Sequence, residues 1–279
     1  MSDFVFKKLS SPAADEKAQL KMLWADSFCE ERKAVDIIFD RYFDLFGAYC
    51  AEDNGKIVSA LYLVSGSLNG KRAHYLCGAA TLPQYRRRGI MKGLIEYALS
   101  RSAKDGDKYS LLFPANESLY SFYSRLGYAS ACSAKKFEIS RKQLKNIKPE
   151  CRLCGVTSDF EDLQKACFCS DFLMHSGRFL RFAAEYYGVY NIRLLQDSCC
   201  AALVDEDGKT ADVIYSVYTD FEKLSALLLK NTAAQKFVFT LKSDNRIFRN
   251  AKIEKYGMIK PLDGSIEIPE NIYIGITLS

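Results

Sequence analysis

The spacing of hydrophobic positions changes repeatedly along the chain, and each change marks an element. Phe4 to Leu9 alternates well enough for a strand, and Ser11-Pro12 followed by Ala13, Ala14 and two acids opens a helix through Leu20, Leu23, Trp24 and Phe28. A second helical stretch carries Val35, Ile37, Ile38, Phe39, Tyr42 and Phe43 and ends at Gly47. Strand-like runs follow at Ala48 to Glu52, Ile57 to Val64 and Ala73 to Leu82. Asp53-Asn54-Gly55 and Leu68-Asn69-Gly70-Lys71 join them as hairpin turns, which predicts an antiparallel meander. An amphipathic helix then carries Ile90, Met91, Leu94, Ile95, Ala98 and Leu99, and a polar break, Lys104 to Lys108, ends it. A strand at Tyr109 to Pro114, a helix at Glu117 to Leu126 and two strands, Ala129 to Ser133 and Lys135 to Ile139, complete the first half.

Residues 141–150 are polar and basic and read as a linker between a first domain, 1–140, and a second, 151–279. The second opens with a strand at Cys151 to Val156, then helices from Asp159 to Phe168 and Ser176 to Tyr187. Strands at Ile192 to Leu195, Cys199 to Val204 and Ala211 to Tyr218, a helix from Asp220 to Lys230 and a strand at Lys236 to Leu241 follow. The order of elements repeats that of the first half, so the chain reads as two copies of one α/β fold with a mixed sheet.

Composition adds bounds. With 48% hydrophobic and 13% aromatic residues the chain is a folded protein, and the net charge of +5 permits a polyanion without demanding one. The first twenty residues hold six charged side chains and no apolar core, which argues against a secretory leader, and no apolar run is long enough to span a membrane. Ten scattered cysteines then fit reduced thiols in a cytoplasm. Cys151-x-x-Cys154 with Cys167 and Cys169 raises a zinc site, but it lacks a glycine knuckle and its thiols in a strand would face opposite ways, so no metal is expected.

The stretch richest in chemistry runs from Ala79 through Pro83-Gln84-Tyr85-Arg86-Arg87-Arg88-Gly89 into the helix that opens at Ile90. Unpaired first-turn amides and the helix dipole make such a start an anion site, and a glycine there lets a phosphate approach the backbone. The absence of Gly-Lys-Ser/Thr excludes a Walker loop, and the absence of spaced glycines excludes a dinucleotide fingerprint. Arg86-Arg87-Arg88-Gly89-Ile90-Met91 instead resembles the coenzyme A loop of the GNAT acyltransferases, Gln/Arg-x-x-Gly-x-Gly/Ala, with Met91 in place of the final small residue. A second block, Asn116…Tyr123-x-x-x-Gly127-Tyr128, is similar to the family's Asn…Tyr-x-x-x-Gly-aromatic pattern.

This resemblance implies a tandem GNAT (acyl-CoA N-acyltransferase) fold with an intact N-terminal and a degenerate C-terminal copy, since Thr219-Asp220-Phe221-Glu222 offers acids where the arginine loop should stand. It implies acetyl-CoA as acyl donor and an amine, small molecule or protein, as acceptor. Ala80, Thr81, Leu82, Arg86, Arg87, Arg88, Gly89, Ile90, Met91, Lys92 and Asn116 would hold the coenzyme, the Ala79 amide would stabilise the oxyanion, and Tyr123 would protonate the leaving thiolate. Some members carry a glutamate where this chain has Tyr75, and adjacent His74 points to the opposite face, so the base is not assigned among Glu30, Glu31, Asp36 and water. The tandem order and the Leu-Pro-x-Tyr-Arg-Arg-Arg run resemble the Eis-type acetyltransferases without their third domain. A coenzyme-binding protein without turnover is the alternative. Nucleic-acid binding through Arg86 to Arg88 is set aside because basic and aromatic residues are not interleaved there. A homo-oligomer is compatible with the sequence.

Overall fold

The computed structural model describes residues 4–147, 159–245, 248 and 251–278. The first half forms β1 (Val5–Leu9), α1 (Ala14–Phe28), α2 (Arg32–Asp36), β2 (Phe46–Asp53), β3 (Lys56–Leu68), β4 (Lys71–Thr81), α3 (Ile90–Lys104), β5 (Tyr109–Leu112) and α4 (Glu117–Ser124). There follow β6 (Ser133–Ser140), α5 (Arg141–Lys145), α6 (Phe160–Cys167), β7 (Leu173–Met174), α7 (Gly177–Gly188), β8 (Arg193–Gln196), β9 (Cys200–Asp207) and β10 (Thr210–Tyr218). The chain closes with α8 (Phe221–Asn231), β11 (Lys236–Lys242), β12 (Lys252–Lys255) and β13 (Met258–Pro261). Asn54-Gly55 and Asn69-Gly70 take positive φ, as two-residue hairpin turns between β2, β3 and β4 require. None of these helices is long and apolar enough to cross a membrane.

The chain folds as two compact units, one of residues 1–130, 257–268 and 277–279, the other of 131–256 and 269–276. In the first, the strands lie in the order β1-β2-β3-β4-β5-β13, with β4 and β5 parallel and every other pair antiparallel. The parallel pair needs a crossover, and α3 supplies it, seating Leu94, Ile95 and Ala98 on the sheet. In the second, β8-β9-β10-β11-β6-β12 repeats the scheme, with β10 and β11 parallel and α8 as the crossover.

In each unit the strand beside the crossover pair comes from the other half of the sequence. The two strands expected at Ala129 to Ser133 and Lys135 to Ile139 do not close the first sheet. Ala129 makes only a bridge to Ile259, and the single strand β6 joins β11 in the second sheet. Phe137 stacks on Phe239 at 5.0 Å there, and Ile139 enters the same core. The place beside β5 goes to β13, whose Met258 is fully buried in the first core. A sequence cut into 1–140 and 151–279 therefore does not describe the units, which are interleaved. The stretch read as a linker holds α5, whose N-cap Ser140 and Gln143 form a capping box. Arg141 donates from its guanidinium to the carbonyls of Leu229, Thr232 and Ala234. The strand expected at Cys151 to Val156 lies outside the described residues.

Candidate active site

The site begins with an irregularity in β4. Ala80 pairs with Ala60 and Cys77 with Tyr62, so Gly78 and Ala79 together oppose the single residue Leu61 in a β-bulge. Gly78 sits at φ +59°, and a Cβ placed on it would come within 2.1 Å of the Trp24 ring and 2.8 Å of Tyr62. Only glycine satisfies both conditions. Trp24 is held by rings on several sides, 5.1 Å from Phe28, 6.0 Å from Phe39 and 5.1 Å from Tyr62 between centroids, so the bulge rests on a packed aromatic wall. Neither Gly78 nor this wall was singled out from the sequence, although a glycine inside an apolar strand is itself a bulge signal.

On its other side β4 is partnered by β5 only from Ala73 to Leu76, against Tyr109 to Leu112. Beyond Leu76 the two strands part, and β5 does not cover the edge from Cys77 to Thr81. An edge of this kind can pair an extended, amide-bearing ligand as an added strand.

The loop after β4 is tied down by its own groups. Thr81 Oγ1 is 2.8 Å from Ser59 Oγ, the Leu82 amide donates to the Val58 carbonyl at 2.9 Å, and Tyr85 donates its hydroxyl proton to Asp53 at 3.1 Å. Arg86 Nε donates to the Thr81 carbonyl at 3.0 Å, and the Arg88 guanidinium lies 4.9 Å from the Phe4 ring and 5.3 Å from the Tyr85 ring. Arg87 is exposed and adopts φ +62°, a left-handed conformation uncommon outside glycine. Gly89 caps α3 at φ +78° with no side chain, and a Cβ there would meet nothing within 4 Å. No side chain caps the first turn, whose amides, those of Ile90, Met91 and Lys92, lie at the positive end of the helix dipole. Met91 packs its side chain against the α3 core and Ile90 is buried, so the methionine leaves the cap clear. Lys92 is exposed, 4.0 Å from Glu96.

Tyr123 lies on α4, buried to 7% exposure, with its ring 5.1 Å from Phe122 and 5.7 Å from Tyr128. It belongs to the same packed cluster as Leu76, Leu112 and Leu126, against which Ala79 and Met91 also rest. Burial pushes its phenol up to about 12, with a further contribution from the Cys77 thiol, so the ring holds its proton. Asn116 serves as the N-cap of α4: its Oδ1 accepts from the Leu119 amide at 3.3 Å and from the Ser118 hydroxyl at 2.7 Å. Gly127 turns the chain at φ +85°, and Tyr128 meets Ser110 at 2.6 Å.

Where some relatives place a glutamate, Tyr75 is buried with its hydroxyl against the backbone of Leu278, whose amide donates at 3.3 Å. His74 is buried with Nδ1 2.8 Å from Asp107, in keeping with a structural role, and Asp36 pairs with Lys21 at 2.5 Å. At the matching turn of the second unit, Asp220 caps α8, its carboxylate accepting the Glu222 amide at 2.8 Å. An acid of this chain therefore occupies the helix start that stands open in the first unit.

Residues 8–131 match the acetyltransferase (GNAT) domain family. Over that stretch the chain is similar to a GNAT acetyltransferase domain. No curated protein sequence matches the chain. Among solved structures the likeness extends over both units. Eis1 from Mycobacterium abscessus superposes with a TM-score of 0.68 at 14% identity, covering 93% of this chain and 74% of that one. GCN5-related N-acetyltransferases from Kribbella flavida and Anabaena variabilis give 0.65 and 0.67 at 18% and 15% identity. They cover 94% and 93% of this chain, and 72% and 73% of their own. At these identities the likeness is one of fold, and it extends over most of the chain.

Proposed function

We propose that the protein transfers an acetyl group from acetyl-CoA directly to a primary amine, on a small molecule or a protein. The observation that carries this is the bare, glycine-capped start of α3 beside an uncovered stretch of β4, with a protonated Tyr123 in the adjoining cluster. The amides of Gly89 to Lys92, with Arg87 and Lys92, would hold the pyrophosphate, and Ala80 to Leu82 would pair the pantetheine amides. Arg86 and Arg88 brace the loop in this reading, through Thr81 and through the Phe4 and Tyr85 rings. Asn116 orients α4 as its cap. The amine attacks the thioester carbonyl, whose oxygen gains charge near the Ala79 amide. The carbon–sulfur bond breaks, and the thiolate takes a proton from Tyr123 while the amine's proton leaves to solvent.

Isothermal titration of acetyl-CoA, paired with Gly89→Asp, tests the reading. One site per chain in the wild type, lost in the variant, is the expected result, followed by thiol release when amines are screened. Binding without thiol release for any amine would leave a coenzyme-binding protein, and no binding would sink the reading.

A further inference from the structure

Outside this site, one group of three metal-competent side chains draws together among the described residues: Asp197, Cys199 and Cys200, at the turn between β8 and β9. It was not the group the sequence suggested, since Cys151 and Cys154 lie outside the described residues and Cys167 and Cys169 do not join it. We propose that Asp197, Cys199 and Cys200 form a three-point site for a thiophilic divalent cation of the zinc and cadmium kind, with its fourth position open to solvent or an external ligand.

Both sulfurs stand at coordination-edge distance from one carboxylate oxygen. Asp197 Oδ1 lies 3.4 Å from the Cys199 sulfur and 3.3 Å from the Cys200 sulfur, and the three ligand atoms all fall within 4.8 Å of one another. With metal–sulfur bonds of about 2.3 Å and metal–oxygen bonds of about 2.0 Å, a tetrahedral centre needs a sulfur–oxygen edge of roughly 3.5 Å. The edges in place differ from that by a few tenths of an ångström, so the cation could seat with little movement of the chain.

The ligands are also held. The Cys199 and Cys200 amides donate to the same Asp197 oxygen at 2.9 and 3.0 Å, fixing the carboxylate on its sulfur-facing side. The Asp197 amide donates back to the Cys200 carbonyl at 3.0 Å, and the Thr219 amide donates to the Cys199 carbonyl at 3.0 Å. The turn is therefore closed on itself and pinned to the end of β10. Binding would break the two S–H bonds, release two protons and replace the two S–H···O contacts with metal–sulfur and metal–oxygen bonds. Two thiolates and one carboxylate carry three negative charges against the cation's two positive ones, and the donor set favours soft or borderline cations over magnesium and calcium.

The test is titration of the full reduced chain with Cd2+ alone, read by bound-metal stoichiometry and by the ultraviolet thiolate-to-metal absorbance. Wild type, Cys199→Ser and Asp197→Asn are compared, with Mg2+ as control. Cys199 is partly exposed and Asp197 exposed, so both variants spare the core, whereas the fully buried Cys200 is kept intact. The expected result is one equivalent fewer in Cys199→Ser, with proportionate loss of absorbance, an affinity reduced at least tenfold in Asp197→Asn, and no response to Mg2+. Equal stoichiometry and affinity in wild type and Cys199→Ser would overturn the site, as would an absence of binding by the wild type.

Discussion

At Gly78 two requirements meet that a single substitution can separate. Gly78→Ala puts a methyl into the Trp24 and Tyr62 rings and holds a β-carbon at positive φ. The expected cost is about 1–3 kcal/mol from overpacking and a further ~1 kcal/mol from the left-handed backbone, read as a lower denaturant midpoint. Trp24→Phe removes the outer ring that the methyl would strike, so the double variant should be more stable than the two single costs imply. Strict additivity would show that the ring does not brace the bulge. Tyr123→Phe should lower kcat by about 10² to 10⁴ with little change in acetyl-CoA affinity, because the phenol is assigned to the leaving thiolate and not to the grip. Its titration has a definite sign. An unfolded tyrosine ionises near 10 and the folded Tyr123 near 12, so its share of stability is intact below pH 10 and lost as pH rises through 12. Across that window the wild type should lose stability relative to Tyr123→Phe, by up to about 3 kcal/mol, measured by denaturant unfolding at each pH. The residues of the loop and of α4 were legible in sequence because local spacing encodes them. Gly78 left a signal, but Trp24 lies fifty-four positions upstream, and its contact with the bulge is made only by the fold.

Two helix starts, at α3 and α8, carry opposite chemistry on the same framework. Gly89 leaves the amides of α3 bare, whereas the carboxylate of Asp220 already occupies those of α8. Asp220→Ala should cost about 1 kcal/mol of stability as a lost cap, while titration still counts one acetyl-CoA per chain. Gly89→Asp should act on the ligand as well, abolishing binding because its carboxylate competes for the amides a phosphate would use, at a cost of about 1 kcal/mol of stability from a β-carbon at φ +78°. Most elements fall within a residue or two of where hydrophobic period and turn residues place them, since those signals are local. The destination of β6 was not legible, and β13 lies past Leu241, where the sequence reading places no element. Alternation shows that a strand has an apolar face, but Phe137 and Ile139 carry nothing that says which sheet receives them. The polar composition of 141–150 hides α5, although Ser140-Arg-Lys-Gln143 spells its capping box.

For the whole molecule, the exchanged strands make each unit depend on residues far away in sequence. A fragment ending at residue 140 would keep α3, α4 and the loop but leave β5 without β13 and the core without Met258. It should fail to give a cooperative melt, whereas residues 1–130 joined by a flexible linker to 257–268 should fold and bind acetyl-CoA; circular dichroism and titration distinguish the two. Interleaving also imposes a timetable on synthesis. When the first 140 residues have left the ribosome, every group proposed to touch the coenzyme is already made, yet the sheet that carries them still has a bare edge at β5. It closes only after β13 emerges, more than a hundred residues later, and until then the nascent chain offers that edge to any strand it meets. A premature stop anywhere between β6 and β13 would therefore yield a sticky, unfinished fold in place of a shorter protein, and the cell would meet it as a client for chaperones and proteases.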